Sequence, residues 1–231
     1  MHTDIRELMC DLCHKMWQKD WVAANDGNLS ALLPDGTLLC TPTGFSKSLI
    51  KPHMLVRIDR EGNVLEAGSG YRPSSEIKLH LRCYQARPDV AGVVHAHPPY
   101  ATAYAAAGIA LTDYSMTETV ATLGQVPLAP YATPSTREVP DSVAPYLQNH
   151  DAVLLKNHGA LAVGVDLVSA FYRMETVEHY AKVSLFVHLL GGPDEISPQN
   201  VRDLIQLRTT TYHATGRHPG YDTNHIHQEK E

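Results

Sequence analysis

No apolar run in this sequence approaches the ~20 residues of a membrane-spanning helix, so nothing in it is expected to cross a bilayer. A basic excess is also missing: 19 Lys and Arg stand against 25 Asp and Glu, for a formal charge of −6 and a pI near 6.1. Nucleic acids and anionic membranes are bound through a basic face, which removes both from the expected partners. Cysteine is sparse, with Cys10, Cys13, Cys40 and Cys83 alone among 231 residues. Cys10 and Cys13 form a CxxC, but no second CxxC or nearby His pair completes a zinc knuckle. The pair falls in a helical pattern of Ile5, Leu8, Met9, Leu12 and Met16, and both thiols are read as reduced residues of an amphipathic helix. The opening MHTDIRELMC is charged where a secretory leader is apolar, so the expected location is the cytoplasm. Neither a Walker nor a Rossmann fingerprint occurs, and there is no internal repeat or linker.

What is present is the balance of a globular protein, 43% hydrophobic and 19% charged residues, with length enough for one substantial core. Apolar spacing predicts a helix from Thr3 to Lys19, with Thr3 or Asp4 as its cap. Leu29–Leu33 and Thr37–Cys40 alternate like strands around the turn Pro34-Asp35-Gly36, and Leu55–Ile58 with Val64–Leu65 form a second such pair. Ser74 and Ser75 precede a helix over Glu76–Ala86, Ala91–His97 reads as a buried strand, and an Ala-rich helix runs through Ala107. Strands are expected around Ala110–Tyr114 and Gln125–Pro130, a helix over Ser142–Leu147, and strands over Ala152–Leu155 and Ala160–Val163. Helices over about Leu167–Leu190 and Pro198–Thr211 complete the core. Without a regular βαβ rhythm, the expected fold is α/β with a central, largely antiparallel sheet between helices. Residues 1–211 are expected to form one domain. The polar tail 212–231 has no periodicity and is either disordered or ordered by a neighbouring subunit.

Chemistry concentrates at strand ends. In His95-Ala96-His97 a spacing of two sends both imidazoles to one face of a sheet. His158 ends another apolar strand and precedes Gly159, which permits a tight turn. With Glu76 they make a set of N/O ligands suited to zinc or a related first-row ion. Among 14 histidines a lone HxH is often decoration, so on spacing alone the metal and the bland readings stand level. Asn25-Asp26-Gly27-Asn28-Leu29-Ser30, Thr41-Pro42-Thr43-Gly44 and Ser74-Ser75 are rich in small donors. Such loops bind phosphate through backbone N–H groups, and Ser74-Ser75 adds a helix N-terminus; ordinary turns and caps share this composition.

Taken in order and spacing, GNLS, TPTG, PSSE, VVHAHPPY and LLKNHG resemble the class II aldolase/adducin family over most of the chain, from the first helix to about Leu190. The resemblance implies an αβα sandwich with a mixed, mainly antiparallel sheet, assembled as a C4 homotetramer with active sites between subunits. It implies Zn2+, or Mn2+ or Co2+, held by His95, His97 and His158, with Glu76 as a further ligand or the acid/base. It further implies that Gly27, Asn28, Thr43, Gly44, Ser74 and Ser75 bind the phosphate of a small phosphorylated sugar. Tyr114 aligns with a family tyrosine that protonates an aldehyde oxygen; a packed strand tyrosine is the alternative. The C-terminal region, Tyr212 or a near neighbour, is expected to cover the site of an adjacent subunit.

The implied activity is that of a metal-dependent aldolase cleaving a ketose 1-phosphate to dihydroxyacetone phosphate and an aldehyde. A pentulose-5-phosphate 4-epimerase is one alternative, although relatives of that type tend to carry Asp at the position of Glu76. A sugar-phosphate decarboxylase or dehydratase is another. A non-catalytic adducin-like assembly domain has no reason to retain three histidines and the carboxylate, all of which are present.

Overall fold

The structure is a computed structural model that describes residues 4–221. In chain order its elements are α1 (Ile5–Gln18), β1 (Asn28–Leu32), β2 (Leu38–Cys40), β3 (Val56–Ile58), β4 (Val64–Glu66), α2 (Ile77–Ala86), β5 (Gly92–Ala96), α3 (Pro99–Ala107), α4 (Thr117–Thr122), β6 (Leu128–Ala129), α5 (Glu138–Val143), β7 (Ala152–Leu155), β8 (Gly159–Gly164), α6 (Leu167–Leu189) and α7 (Pro198–Thr210). The eight strands form one sheet in the order β4-β3-β2-β1-β5-β8-β7-β6. Every pairing is antiparallel except β6 with β7, which is the mixed, mainly antiparallel sheet expected.

Strand alternation divides the core into two layers. On one face Leu29, Ala31, Val94, Ala96, Ala160 and Ala162 pack with α1, α3 and α6. On the other, Leu38, Val56, Val93, Leu161 and Val163 pack with α2 and α5. Both cysteines of the CxxC sit on the buried side of α1, and all four thiols are free and buried. Burial pushes the Cys10 thiol up to about 11, so it is a packing group rather than a nucleophile. Among the described residues no helix is long and apolar enough to cross a membrane.

The chain departs from the expected pattern between the third helix and the seventh strand. Ala110–Tyr114 does not form a strand: only Leu111 bridges Val126. The next backbone groups are taken elsewhere, the Thr112 carbonyl by the Gln125 side chain, the Asp113 carbonyl by the Tyr180 hydroxyl at 2.5 Å and the Tyr114 carbonyl by the Ile196 N–H at 2.8 Å. Those partners replace a ladder. Gln125–Pro130 contracts to the two residues of β6 because Pro127 and Pro130 have no N–H to pair. The helix expected over Ser142–Leu147 begins earlier, as α5, and Pro145 interrupts it before a 3-10 turn over Tyr146–Gln148. Helix α4 carries no period strong enough to be anticipated.

The tail from Tyr212 to Tyr221 is ordered against its own chain. Arg208 donates to the carbonyls of Thr215, Gly216 and Arg217, and Asp151, 2% exposed, accepts from Arg87 and the Arg217 N–H and forms an ion pair with Arg173. His218 bonds the Val120 carbonyl at 2.7 Å. Tyr212 is 39% exposed. The expectation of disorder after Asp222 concerns residues outside those described, as does Thr3; Asp4 caps α1 by accepting from the Arg6 N–H.

Candidate metal and active site

Three elements converge at one end of the sheet. The end of strand β5 delivers His95 and His97 on the α2 face, the turn between β7 and β8 delivers His158, and the N-cap of α2 delivers Glu76. The turn approaches β5 so closely that a Cβ on Gly159 would lie 2.5 Å from the Ala96 carbonyl and 2.6 Å from His97 Cδ2. Gly27 has φ of +70°, and a Cβ there would lie 2.4 Å from Val22 and 3.1 Å from the His95 carbonyl. Both glycines permit a convergence that any side chain would push apart.

The three imidazole rings stand 4.8 to 5.0 Å apart by centroid, and one nitrogen from each lies within 4.8 Å of the others. His95 Nδ1 must donate to the Ala160 carbonyl at 2.9 Å, since a carbonyl only accepts, so in the neutral ring Nε2 carries the lone pair and faces inward. His97 places Nδ1 3.4 Å from the Asp26 carboxylate and Nε2 3.2 Å from His95 Nε2. Glu76 lies 3.3 Å from both His95 Nε2 and His158 Nε2. Its Oε1 is buried without a hydrogen-bond partner. Inward nitrogen lone pairs and an orphaned carboxylate oxygen fit a divalent cation, with the Ala160 carbonyl and Asp26 orienting the rings from outside.

Burial opposes the ionised Glu76 carboxylate, but His95, His158 and the Asn28 amide overcome it and hold the group well below the usual range. Burial and the neighbouring His95 push His97 and His158 down to about 4. Burial also opposes charge on His95, and Glu76 overcomes it, raising that ring. At neutral pH His97 and His158 are therefore neutral imidazoles, the form that ligates.

These shifts predict how the metal-free protein responds to acid. For His97, His158 and the fully buried His80, at about 3, folded values lie below the unfolded 6.5, so the unfolded chain binds more protons between about 4 and 6.5. Stability then falls as pH drops through that window, and depressed Glu76 adds the same sign at lower pH. Raised His95 contributes stability below 6.5 that is lost at higher pH, one ring against three. The urea midpoint of chelator-treated protein should decrease from pH 7 to 4.5; an increase would show that His95 governs the cluster.

His97 and His158 open on a cleft of about 220 Å³ lined by Gly27, Asn28, Thr43, Ser74, Ser75 and Glu76, with Asn25, Asp26, Pro134 and Ser135. Gly44, φ +82°, is next to it in the chain but not among its walls. Thr43 N–H bonds the Arg72 carbonyl and Ser74 N–H the Thr41 carbonyl, which ties two of the donor loops together. The cleft is smaller than the ~300–1,000 Å³ that hold drug-sized ligands, a size that suits a small ligand. A larger depression of about 420 Å³ near Lys19, Tyr100 and Lys182 has none of the three clustered histidines or Glu76 among its walls.

Tyr114 is not brought to this cleft by its own chain. It is 2% exposed and packs with Val120, Val201 and the Tyr221 ring, 5.1 Å away. Sequence reasoning missed Ser135, Lys47 and His80, and took Asp26 only as part of a donor-rich loop. Lys47 is 1% exposed, and its ammonium donates to the Asn25 and Phe45 carbonyls at 3.1 Å, joining two of the donor loops; nothing in the sequence marked it. His80 had a signal: Glu76, His80 and Tyr84 recur every four residues and face the alternating Asn28 and Ser30 of β1.

Comparison with known proteins bears on the same residues. The model of the class II aldolase and adducin N-terminal domain matches residues 7–185. Over 195 residues the chain is 34% identical to the 3-oxo-tetronate 4-phosphate decarboxylase of Escherichia coli K12, covering 83% of this chain and 89% of that protein. Over 183 residues it is 35% identical to the L-fuculose phosphate aldolase of the same strain, covering 79% and 83%. A solved L-fuculose 1-phosphate aldolase superposes with a TM-score of 0.81 at 31% identity, covering 89% of this chain and 96% of that one. On a match that spans β5, the β7–β8 turn with its histidine and most of the long helix behind them, the chain belongs to the class II aldolase and adducin N-terminal domain family.

Proposed function

We propose that the protein is a cytoplasmic, metal-dependent aldehyde-lyase that cleaves a ketose 1-phosphate to dihydroxyacetone phosphate and an aldehyde. The observation that carries the reading is the Glu76 carboxylate, with one oxygen engaged by Asn28 and the other buried, unpartnered and beside His158 at the wall of a cleft built from donor loops.

His95, His97 and His158, with Glu76, would hold the ion; Zn2+ is the first choice, with Mn2+ or Co2+ accommodated by the same ligand types. When bound there, the ion supplies a Lewis acid for the oxygens beside the reacting carbon. Cleavage next to a carbonyl leaves an electron pair on carbon, and Glu76 is the chain's own group for moving the accompanying proton. Gly27, Asn28, Thr43, Gly44, Ser74 and Ser75 bind the phosphate, so that binding remote from the reacting bond fixes its orientation. Lys47, beneath two of those loops, adds positive charge near them. We assign the working assembly as a homotetramer, supported by apolar residues left exposed on α6 and α7, among them Tyr172, Phe186, Leu189 and Leu207. In it the tail around Tyr212 would serve a neighbour's site; truncation after Leu207 should then reduce turnover sharply while metal binding persists.

Decarboxylation of a 3-oxo sugar-acid phosphate is the second reading, favoured by the 34% identity to a decarboxylase with that substrate class in its name. It too leaves an electron pair beside a carbonyl and needs the same phosphate grip. A product assay over ketose 1-phosphates, pentulose 5-phosphates and 3-oxo sugar-acid phosphates distinguishes the readings. Triose phosphate together with an aldehyde from a ketose 1-phosphate is expected; triose phosphate together with CO2, formed only from a 3-oxo sugar-acid phosphate, or epimer formation alone, would overturn the aldolase.

A further inference from the structure

Beneath Glu76 a line of buried polar side chains runs between α2 and β1. Asn28 Nδ2 is 3.1 Å from Glu76 Oε2, His80 Nε2 is 2.5 Å from Asn28 Oδ1, Ser30 Oγ is 2.7 Å from His80 Nδ1, and Tyr84 Oη is 2.8 Å from Ser30 Oγ. All four supporting residues are at most 4% exposed. Hydrogen-bond valence gives the line a direction. An ionised carboxylate only accepts, so Asn28 must turn its NH2 to Glu76 and its oxygen to His80. That oxygen needs a donor, which places a proton on His80 Nε2. A neutral ring then accepts at Nδ1, so Ser30 donates to it and in turn accepts from Tyr84.

We propose that His80 is a positioning residue: in its Nε2–H tautomer it fixes the orientation of the Asn28 amide and thereby commits Glu76 Oε2, leaving Oε1 as the oxygen that works in the cleft. The inference rests on Glu76 being the acid/base. The opposite tautomer would present a lone pair to Asn28, forcing the amide to flip and its oxygen against the carboxylate. Burial keeps the ring neutral, and it pushes the Tyr84 phenol well above its usual range, so the far end of the line stays a donor.

The decisive measurement is 15N NMR of histidine-labelled protein, with and without zinc, the His80 ring being assigned by its contacts to Ser30 and Tyr84. Protonated Nε2 and bare Nδ1 are expected; protonated Nδ1 overturns the proposal whether or not any variant folds. Two substitutions extend the test to turnover. His80→Leu removes the donor and should lower kcat by about the 10–100-fold typical of groups that support a site's ligands from behind, with KM little changed. His80→Gln can place an NH2 where Nε2–H was and should restore most of the loss. Equal rates for Leu and Gln would show that His80 only fills space. Inactivity of the wild type on every panel compound would count against the aldolase and decarboxylase readings alone, since the tautomer is read without substrate.

Discussion

Replacing Glu76 by Gln is expected to lower turnover by roughly 10²–10⁴, the usual worth of a positioned acid/base. The exchange is nearly isosteric, and the carbonyl of the introduced amide can keep the Asn28 NH2 as its donor, so the local packing survives. What disappears is an oxygen able to take a proton at the position of Oε1. The amide would instead aim an NH2 at His158, 3.3 Å away in the native protein. Metal content must be measured alongside kcat, because Glu76 is also a candidate ligand. Exchange of the donor-carbon proton with solvent isolates the proton step; an unchanged exchange rate at unchanged metal content would remove Glu76 from that role.

The second large effect is on metal. His97→Ala should leave a folded protein that loses its ion on dialysis against a chelator. Groups that only hydrogen-bond to metal ligands typically contribute ~10–100-fold in affinity, and removal of a ligand should exceed that. The fold should tolerate the change: His97 lies one residue beyond β5, its side chain is 23% exposed, and its shortest side-chain polar contact is to the His95 ring rather than to backbone of the sheet. His95→Ala would be a poorer test, since that ring is fully buried and bonded to the Ala160 carbonyl. Stoichiometric zinc retained by the His97 variant, by elemental analysis, would mean that the ion sits elsewhere.

Much of the fold was legible in the sequence because its signals are local. The hairpin at Pro34-Asp35-Gly36, the capped helices and the apolar strands ending in histidine all formed within a few residues of the expected limits. The segment 110–130 was not, because its backbone partners are the side chains of Gln125 and Tyr180 and the backbone of Ile196, distant in sequence from most of the groups they satisfy. Lys47 was illegible for the same reason: only the meeting of two loops turns a surface-type residue into a buried tie.

By itself the sequence determined the sheet-and-helix composition, the pair of imidazoles on one strand face and the donor-rich loops, since strand alternation and turn chemistry are properties of adjacent residues. Tertiary structure alone decided that His158 meets His95 and His97, because that depends on Gly159 letting the β7–β8 turn approach the β5 backbone. It also decided the direction of the hydrogen bonds from Tyr84 to Glu76. A donor acquires a direction only from the acceptor it faces, and these partners stand on two elements that the chain brings together across 48 residues for Asn28 with Glu76 and 54 for Ser30 with Tyr84.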